Sequence, residues 1–181
     1  YCGPVLHTRP QGAQSTREPL QLGAEIYGHA GLEADLEVQE LALDGLRASG
    51  IGSLVLDLAD ARILRGLLDE LGPVDPVRAE VAGALAAKDV QRLRGLCTSL
   101  SVPAREGLLA LPNLYGDLAV LDGARRHLPA HPLITAALDD LSWLAGHIGQ
   151  ACPEVRIGFD LADMGGYGYY SGTRFAVYAE G

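Results

Sequence analysis

Between Leu20 and Gly28 the apolar residues Leu20, Leu22, Ala24 and Ile26 alternate with Gln21, Gly23, Glu25 and Tyr27. A period of two predicts a half-buried strand whose other face carries an amide, a gap and a carboxylate in a row. Tyr1 to Leu6 predicts a strand before it, and the polar stretch from His7 to Pro19, with Pro10 and Gly12, predicts the loop between. The period then changes. Glu33 to Ser49 predicts a helix closed by Gly50 at the C′ position. Leu54-Val-Leu-Asp-Leu58 predicts another strand. From Asp60 to about Cys152 the spacing is helical, beginning with Leu64, Leu67, Leu68 and Leu71. Further helices are predicted near 76–87, 89–100, 103–111, 117–128 and 132–150, punctuated by Pro73, Pro76, Pro103, Pro112, Pro129 and Pro132. Val155 to Leu161 predicts a strand, and a glycine- and tyrosine-rich stretch from Gly165 runs into a last strand ending at Tyr178. Strands at both ends with helices between predict an α+β fold with a mainly antiparallel sheet. Its parts are residues 1–59, a helical insertion at 60–152, and returning strands at 153–181.

Composition narrows the function classes. The chain has 181 residues and is 48% hydrophobic, enough for one domain with a core. Its 23 glycines follow no G-X-Y period, and no apolar run reaches the roughly 18 residues of a membrane span. Fourteen Lys+Arg against 23 Asp+Glu leave a net charge of −9, and Lys88 is the sole lysine. That balance argues against a nucleic-acid partner, which wants a basic face. Cys2, Cys97 and Cys152 are odd in number and far apart, without a CxxC, so neither a zinc site nor a disulfide framework is expected. Such thiols, with no basic–apolar leader, predict a cytoplasmic protein. The only methionine is Met164 and the chain opens on Tyr-Cys-Gly-Pro, which predicts a piece of a longer protein cut at both ends.

Two places carry candidate chemistry. Gln21 and Glu25 would stand on one strand face about 13 Å apart. Gly23 between them would let a ligand approach the backbone. Such a face suits a small cation such as an ammonium group, and it equally suits a solvated outer face. Tyr167, Tyr169 and Tyr170 among Gly165, Gly166, Gly168 and Gly172 could wall a planar ligand, or form an aromatic hairpin packed on the sheet. The stretch is not a phosphate loop, because it lacks GxxxxGK[ST]. His7, His29, His127, His131 and His147 show no HExxH, so no metal site is expected. There is no GxSxG nucleophile. Asp139 and Asp140 read as a solvated helix face, and Arg125-Arg126-His127 as a charge cluster at a helix C-terminus.

Tyr1-Cys-Gly-Pro through Arg9-Pro-Gln to Arg17-Glu-Pro-Leu-Gln-Leu-Gly-Ala-Glu-Ile-Tyr-Gly28 resembles the motif 2 hairpin and following strand of histidyl-tRNA synthetases. Gly165-Gly-Tyr-Gly-Tyr-Tyr-Ser-Gly-Thr-Arg-Phe175 resembles that family's second histidine-binding signature, where Arg-Gly-Leu-Asp-Tyr-Tyr is usual. The resemblance implies a class II aminoacyl-tRNA synthetase-like antiparallel sheet flanked by helices, with a helical insertion and with motifs 1 and 3 outside the chain. It implies a histidine pocket using Gln21 and Glu25 for the amino group, with Tyr170 at the imidazole-contacting position and Tyr169 beside it. The departures lie in the ATP chemistry. Leu6-His7-Thr8 stands where the family has an arginine and a glutamate, Gly165 where it has an arginine, and Gly168 where it has an aspartate. Amino-acid activation needs positive charge at the developing phosphate charge, so the resemblance implies that activation is lost.

A kept pocket without ATP chemistry is similar to the regulatory subunits of ATP phosphoribosyltransferase, and the wording of residues 17–37 and of Tyr167-Gly-Tyr-Tyr-Ser-Gly172 is closest to them. That likeness implies a protein with no catalytic residues, no cofactor and no metal. Its implied role is in the first step of L-histidine biosynthesis. The implied partner is the catalytic subunit of ATP phosphoribosyltransferase, with L-histidine as effector and a homodimer within a hetero-oligomer. A divergent histidyl-tRNA synthetase domain is the alternative.

Overall fold

The computed structural model describes residues 1–8, 16–165 and 167–179. Arg9-Pro-Gln of the motif 2 resemblance and Gly166 lie outside them. Strands β1 (Cys2–Pro4) and β2 (Leu20–Leu22) form an antiparallel ribbon. Helix α1 (Leu32–Ala48) follows and stops at Ser49, with Gly50 at φ +78°, the left-handed C′ conformation expected there. Next come β3 (Leu54–Asp60), α2 (Ala61–Leu67), α3 (Pro76–Ala86), α4 (Val90–Leu96) and α5 (Val102–Ala110). The two-residue β4 (Tyr115–Gly116), α6 (Ala119–His127), α7 (Pro132–Ala151), β5 (Arg156–Asp160) and β6 (Thr173–Ala179) complete the chain.

Local chemistry sets the helix starts. Asp60, Asp75 and Asp89 each accept a backbone N–H in the first turn of α2, α3 and α4, and Pro76 and Pro132 open α3 and α7. His131 caps α7 through Nδ1, which accepts from the Leu133 N–H at 3.2 Å. Helix α7 buries Ile134, Ala137, Leu138, Leu141, Leu144, Ala145 and Ile148, the stripe that a 3.6-residue period places on one side.

The sheet order is β4-β5-β3-β6. Leu54, Leu56 and Leu58 of β3 are buried, while Val55 and Asp57 on the opposite face are half-buried. The buried strand residues share one hydrophobic cluster with the helices from α1 to α7. Strands β3 and β6 pair antiparallel over seven residues, Leu54 opposite Ala179 through Asp60 opposite Thr173. Most pairings are antiparallel as expected, but β3 and β5 run parallel. The long helical crossover between them permits this, as no hairpin could.

Two local expectations are corrected. The strand predicted for residues 20–28 ends at Leu22, and its apolar positions are not buried: Leu20 is 74% and Leu22 77% exposed. Alternation gives a strand a buried face only where a second layer covers it, and no described element covers this ribbon. Within the stretch read as wholly helical, Tyr115–Gly116 forms the edge strand β4, pairing with Phe159 and Asp160 of β5. The last strand, Thr173–Ala179, follows the glycine- and tyrosine-rich turns as expected.

Gly66 of α2 lies tight against the start of α7. A Cβ there would lie 2.8 Å from Ile134 Cγ1 and 2.9 Å from His131 Nδ1. Gly66→Ala is therefore expected to destabilise the protein by about 1–3 kcal/mol in urea unfolding, because overpacking outweighs the gain in helix propensity. A stabilised variant would show that the two helices part easily.

Candidate functional site

A cleft of about 840 Å3 lies between the first half of α1, the segment before it and the turn leading into β6. Glu25 and Tyr27 come from the segment before α1, Asp35 and Gln39 from the helix, and Tyr169 and Tyr170 from the turn. Arg62, Asp140 and Arg174 complete the polar wall.

The cleft brings together three of the four predicted pocket residues. Glu25, Tyr169 and Tyr170 line it; Gln21 does not. Gln21 sits on the ribbon, where its Nε2 donates to Tyr1 Oη at 2.5 Å. The gap expected at Gly23 is filled by the same tyrosine, whose Cζ lies 2.5 Å from where a Cβ would stand. Backbone approach at Gly23 is thus corrected: Tyr1 already occupies it.

The Glu25 carboxylate accepts the Tyr27 hydroxyl, and this bond, with the carboxylate's charge, holds the Tyr27 phenol above its ordinary pKa. Tyr169 and Tyr170 meet edge to face with ring centroids 5.4 Å apart; Tyr169 is 86% exposed and Tyr170 39%. Their turn is pinned from below. Arg65 donates to the carbonyls of Tyr170 and Ser171 at 2.5 and 3.3 Å and lies 5.9 Å from the Tyr167 ring centroid. Tyr167 packs against the core, so the stretch divides between one packing tyrosine and two cleft tyrosines.

Both arginines of the cleft are committed to carboxylates. Arg62 bonds Asp60 and, at 2.7 Å, Asp140 Oδ2 of α7; these partners raise its guanidinium pKa still further. Asp140 is therefore a network member, and the reading of it as a solvated face is corrected. Asp139 does lie at the surface, paired with Arg125 at 2.7 Å. Arg174 pairs with Asp163, and its Nη2 lies 2.8 Å from where a Cβ of Gly165 would stand. The Arg174 guanidinium thus fills space beside Gly165, where the resemblance implies an arginine in the synthetases. The Thr173 hydroxyl donates to Asp35 Oδ2 at 2.8 Å, tying β6 to α1.

Arg62 and Gln39 were not singled out from the sequence, and Asp140 was read only as part of a solvated face. No short motif links them, because they meet only when α2, α7 and α1 pack. The helix-cap position of Asp60 was the one local signal. Among the histidines, His29 lines the cleft with its Nε2 3.5 Å from Glu33, His131 caps α7, and the His147 ring stacks on Trp143 with centroids 3.8 Å apart. Among the described residues no group of three His, Cys, Asp or Glu could hold a metal ion, and no helix is long and apolar enough to cross a membrane.

The family model described as Histidyl-tRNA synthetase matches residues 1–181. A protein of Variovorax paradoxus named ATP phosphoribosyltransferase regulatory subunit is 56% identical over 183 residues, covering 100% of this chain and 47% of that protein. The chain thus spans about half the length of the curated relatives it matches. A crystal structure described as an ATP phosphoribosyltransferase regulatory subunit/histidyl-tRNA synthetase from Bacillus halodurans superposes with a TM-score of 0.79 at 24% identity. It covers 99% of this chain and 47% of its own. The ATP phosphoribosyl transferase (HisG:HisZ) complex from Thermotoga maritima gives 0.72 at 17% identity, over 99% of this chain and 62% of the matched one. These structures show the class II synthetase-like α+β fold.

Proposed function

The chain belongs to the histidyl-tRNA synthetase family, and we propose that within it the protein is a regulatory, non-catalytic subunit of ATP phosphoribosyltransferase. It would act in the first step of L-histidine biosynthesis, in the cytoplasm, as a homodimer within a hetero-oligomer that includes the catalytic subunit. The observation that carries this reading is the 56% identity, over the whole chain, to a protein of that name. The cleft agrees with it. Stabilising an adenylate-forming transition state asks for cations aimed at phosphate oxygens. Arg62 and Arg174 are instead paired with Asp60, Asp140 and Asp163.

The cleft is better suited to a small amino acid. Glu25 offers a carboxylate to an ammonium group, and Tyr170, with Tyr169 beside it, offers a face and an edge to an imidazole. Histidine as a feedback effector fits this chemistry. Gln21 does not line the cleft, and its amide is held by Tyr1.

The test is co-purification of the full-length protein with the short catalytic chain of ATP phosphoribosyltransferase, followed by assay of that chain alone and in the complex. Activation on complex formation, relieved by histidine, is expected. A histidine-dependent ATP–pyrophosphate exchange by the full-length protein alone would overturn the reading in favour of a synthetase.

A further inference from the structure

Three consecutive carbonyls of the turn that carries Tyr170 are held by α2. Arg65 donates Nη2 to the Tyr170 oxygen at 2.5 Å and Nη1 to the Ser171 oxygen at 3.3 Å, and the Ala61 N–H donates to the Gly172 oxygen at 3.0 Å. The next residue, Thr173, ties the chain to Asp35 of α1. The turn needs such anchors. Gly168 and Gly172 flank its two tyrosines, and glycine leaves a backbone its widest choice of conformation. Tyr169 is 86% and Tyr170 39% exposed, so burial fixes neither ring completely.

Arg65 does not line the cleft. It lines a separate cavity of about 750 Å3, with Tyr167, Gly168 and Asp69. Its bonds reach the cleft through the backbone of Tyr170 and Ser171, both of which line it. Arg62, one turn earlier on α2, spends its guanidinium on carboxylates, whereas Arg65 spends its own on neutral carbonyls. The planar fork spans two adjacent carbonyls, which a lysine ammonium does not. We propose that Arg65 is a positioning residue of the histidine site: it fixes the Tyr170–Ser171 backbone from outside the cleft and so holds the Tyr170 ring ready for the imidazole. A ring already in place spares the ligand the cost of ordering the turn. This deepens the histidine-pocket reading above and rests on it.

The test is calorimetry with histidine on the full-length protein, for the wild type, Arg65→Met, Arg65→Lys, Tyr170→Ala and the double variant Arg65→Met with Tyr170→Ala. Arg65→Met is expected to bind histidine about tenfold more weakly, and Arg65→Lys about threefold, since it keeps one donor of the fork. In the Tyr170→Ala background Arg65→Met should cost nothing further, because the ring it places is gone. An arginine with a merely structural role would lower affinity, if at all, by the same factor in both backgrounds. Hydrogen exchange on the ligand-free proteins supplies the second readout. Arg65→Met should speed exchange in residues 168–172 and leave β3 and α7 unchanged. Wild-type binding with unchanged affinity in Arg65→Met, an equal penalty in both backgrounds, or unchanged exchange in the turn each overturns this inference alone. No binding by the wild type overturns the histidine pocket itself. Should Arg65→Met fail to fold, Arg65→Lys decides: binding at wild-type affinity overturns the inference.

Discussion

Replacing Arg62 with methionine is expected to cost the folded protein about 3–5 kcal/mol, the usual result of stranding a buried charge. The Asp60 side chain is fully buried, and its carboxylate accepts from three donors of Arg62: the backbone N–H at 2.8 Å, Nε at 3.0 and 3.1 Å to the two oxygens, and Nη2 at 2.6 Å. The guanidinium also reaches Asp140 on α7. One side chain thus ties the end of β3, the first turn of α2 and the middle of α7. Methionine keeps the apolar stem but leaves Asp60 with only its helix-cap bond. Arg62→Lys should fall between, since a lone ammonium replaces the bidentate fork with a single point of contact. Asp140→Asn should cost less than either, because Asp140 is partly exposed and water can repair the loss. Urea unfolding of the four proteins gives the ranking. A loss under about 1 kcal/mol for Arg62→Met would mean that Asp60 rehydrates or takes a proton at little cost.

Why this network escaped the sequence is a matter of range. Helices were legible because each carries its own signals. The helix at 132–150, the helix opening at Pro76 and Gly50 after α1 are read within a few residues and stand where expected. Pairing partners across the helical segment are not local. The parallel register of Val55 with Arg156 follows from how α2 and α7 stack on the sheet, and no residue near either strand encodes it. The ribbon erred the opposite way. Leu20, Leu22 and Ile26 carry the pattern of a buried face, but a pattern records only that burial is wanted, and in this chain the three are exposed.

The site divides along the same line. Glu25, Tyr169 and Tyr170 were found because two segments resemble a family, and folding brings them to one cleft. Gly165 was marked as a loss of charge. The structure places the Arg174 guanidinium against it, a proximity that depends on β6 returning beside β3. Gln39 gave no sign at all: a glutamine in an amphipathic helix reads as surface, and only packing shows it to be dry.

Glu25→Gln in the full-length protein is expected to weaken histidine binding by about one to two decades in Kd, from a charge-assisted hydrogen bond worth about 1.5–3 kcal/mol once the ligand covers it. The carboxylate is not free beforehand. It already accepts the Tyr27 hydroxyl, so a ligand ammonium must share or displace that donor. Tyr27→Phe removes the competitor while leaving the ring. It should therefore bind histidine as tightly as the wild type or up to about threefold more tightly. The pair separates two roles that a single variant would confuse. If Glu25 only anchors Tyr27, and through it the segment before α1, both substitutions break the same bond and both should weaken binding alike. If Glu25 holds the ammonium, the two move in opposite directions. Both variants keep the size and shape of the side chain at an exposed position, so their folding should be unchanged. Calorimetry that finds Glu25→Gln at wild-type affinity removes Glu25 from the pocket and leaves Tyr170 as the only polar contact that the family resemblance still assigns in the cleft.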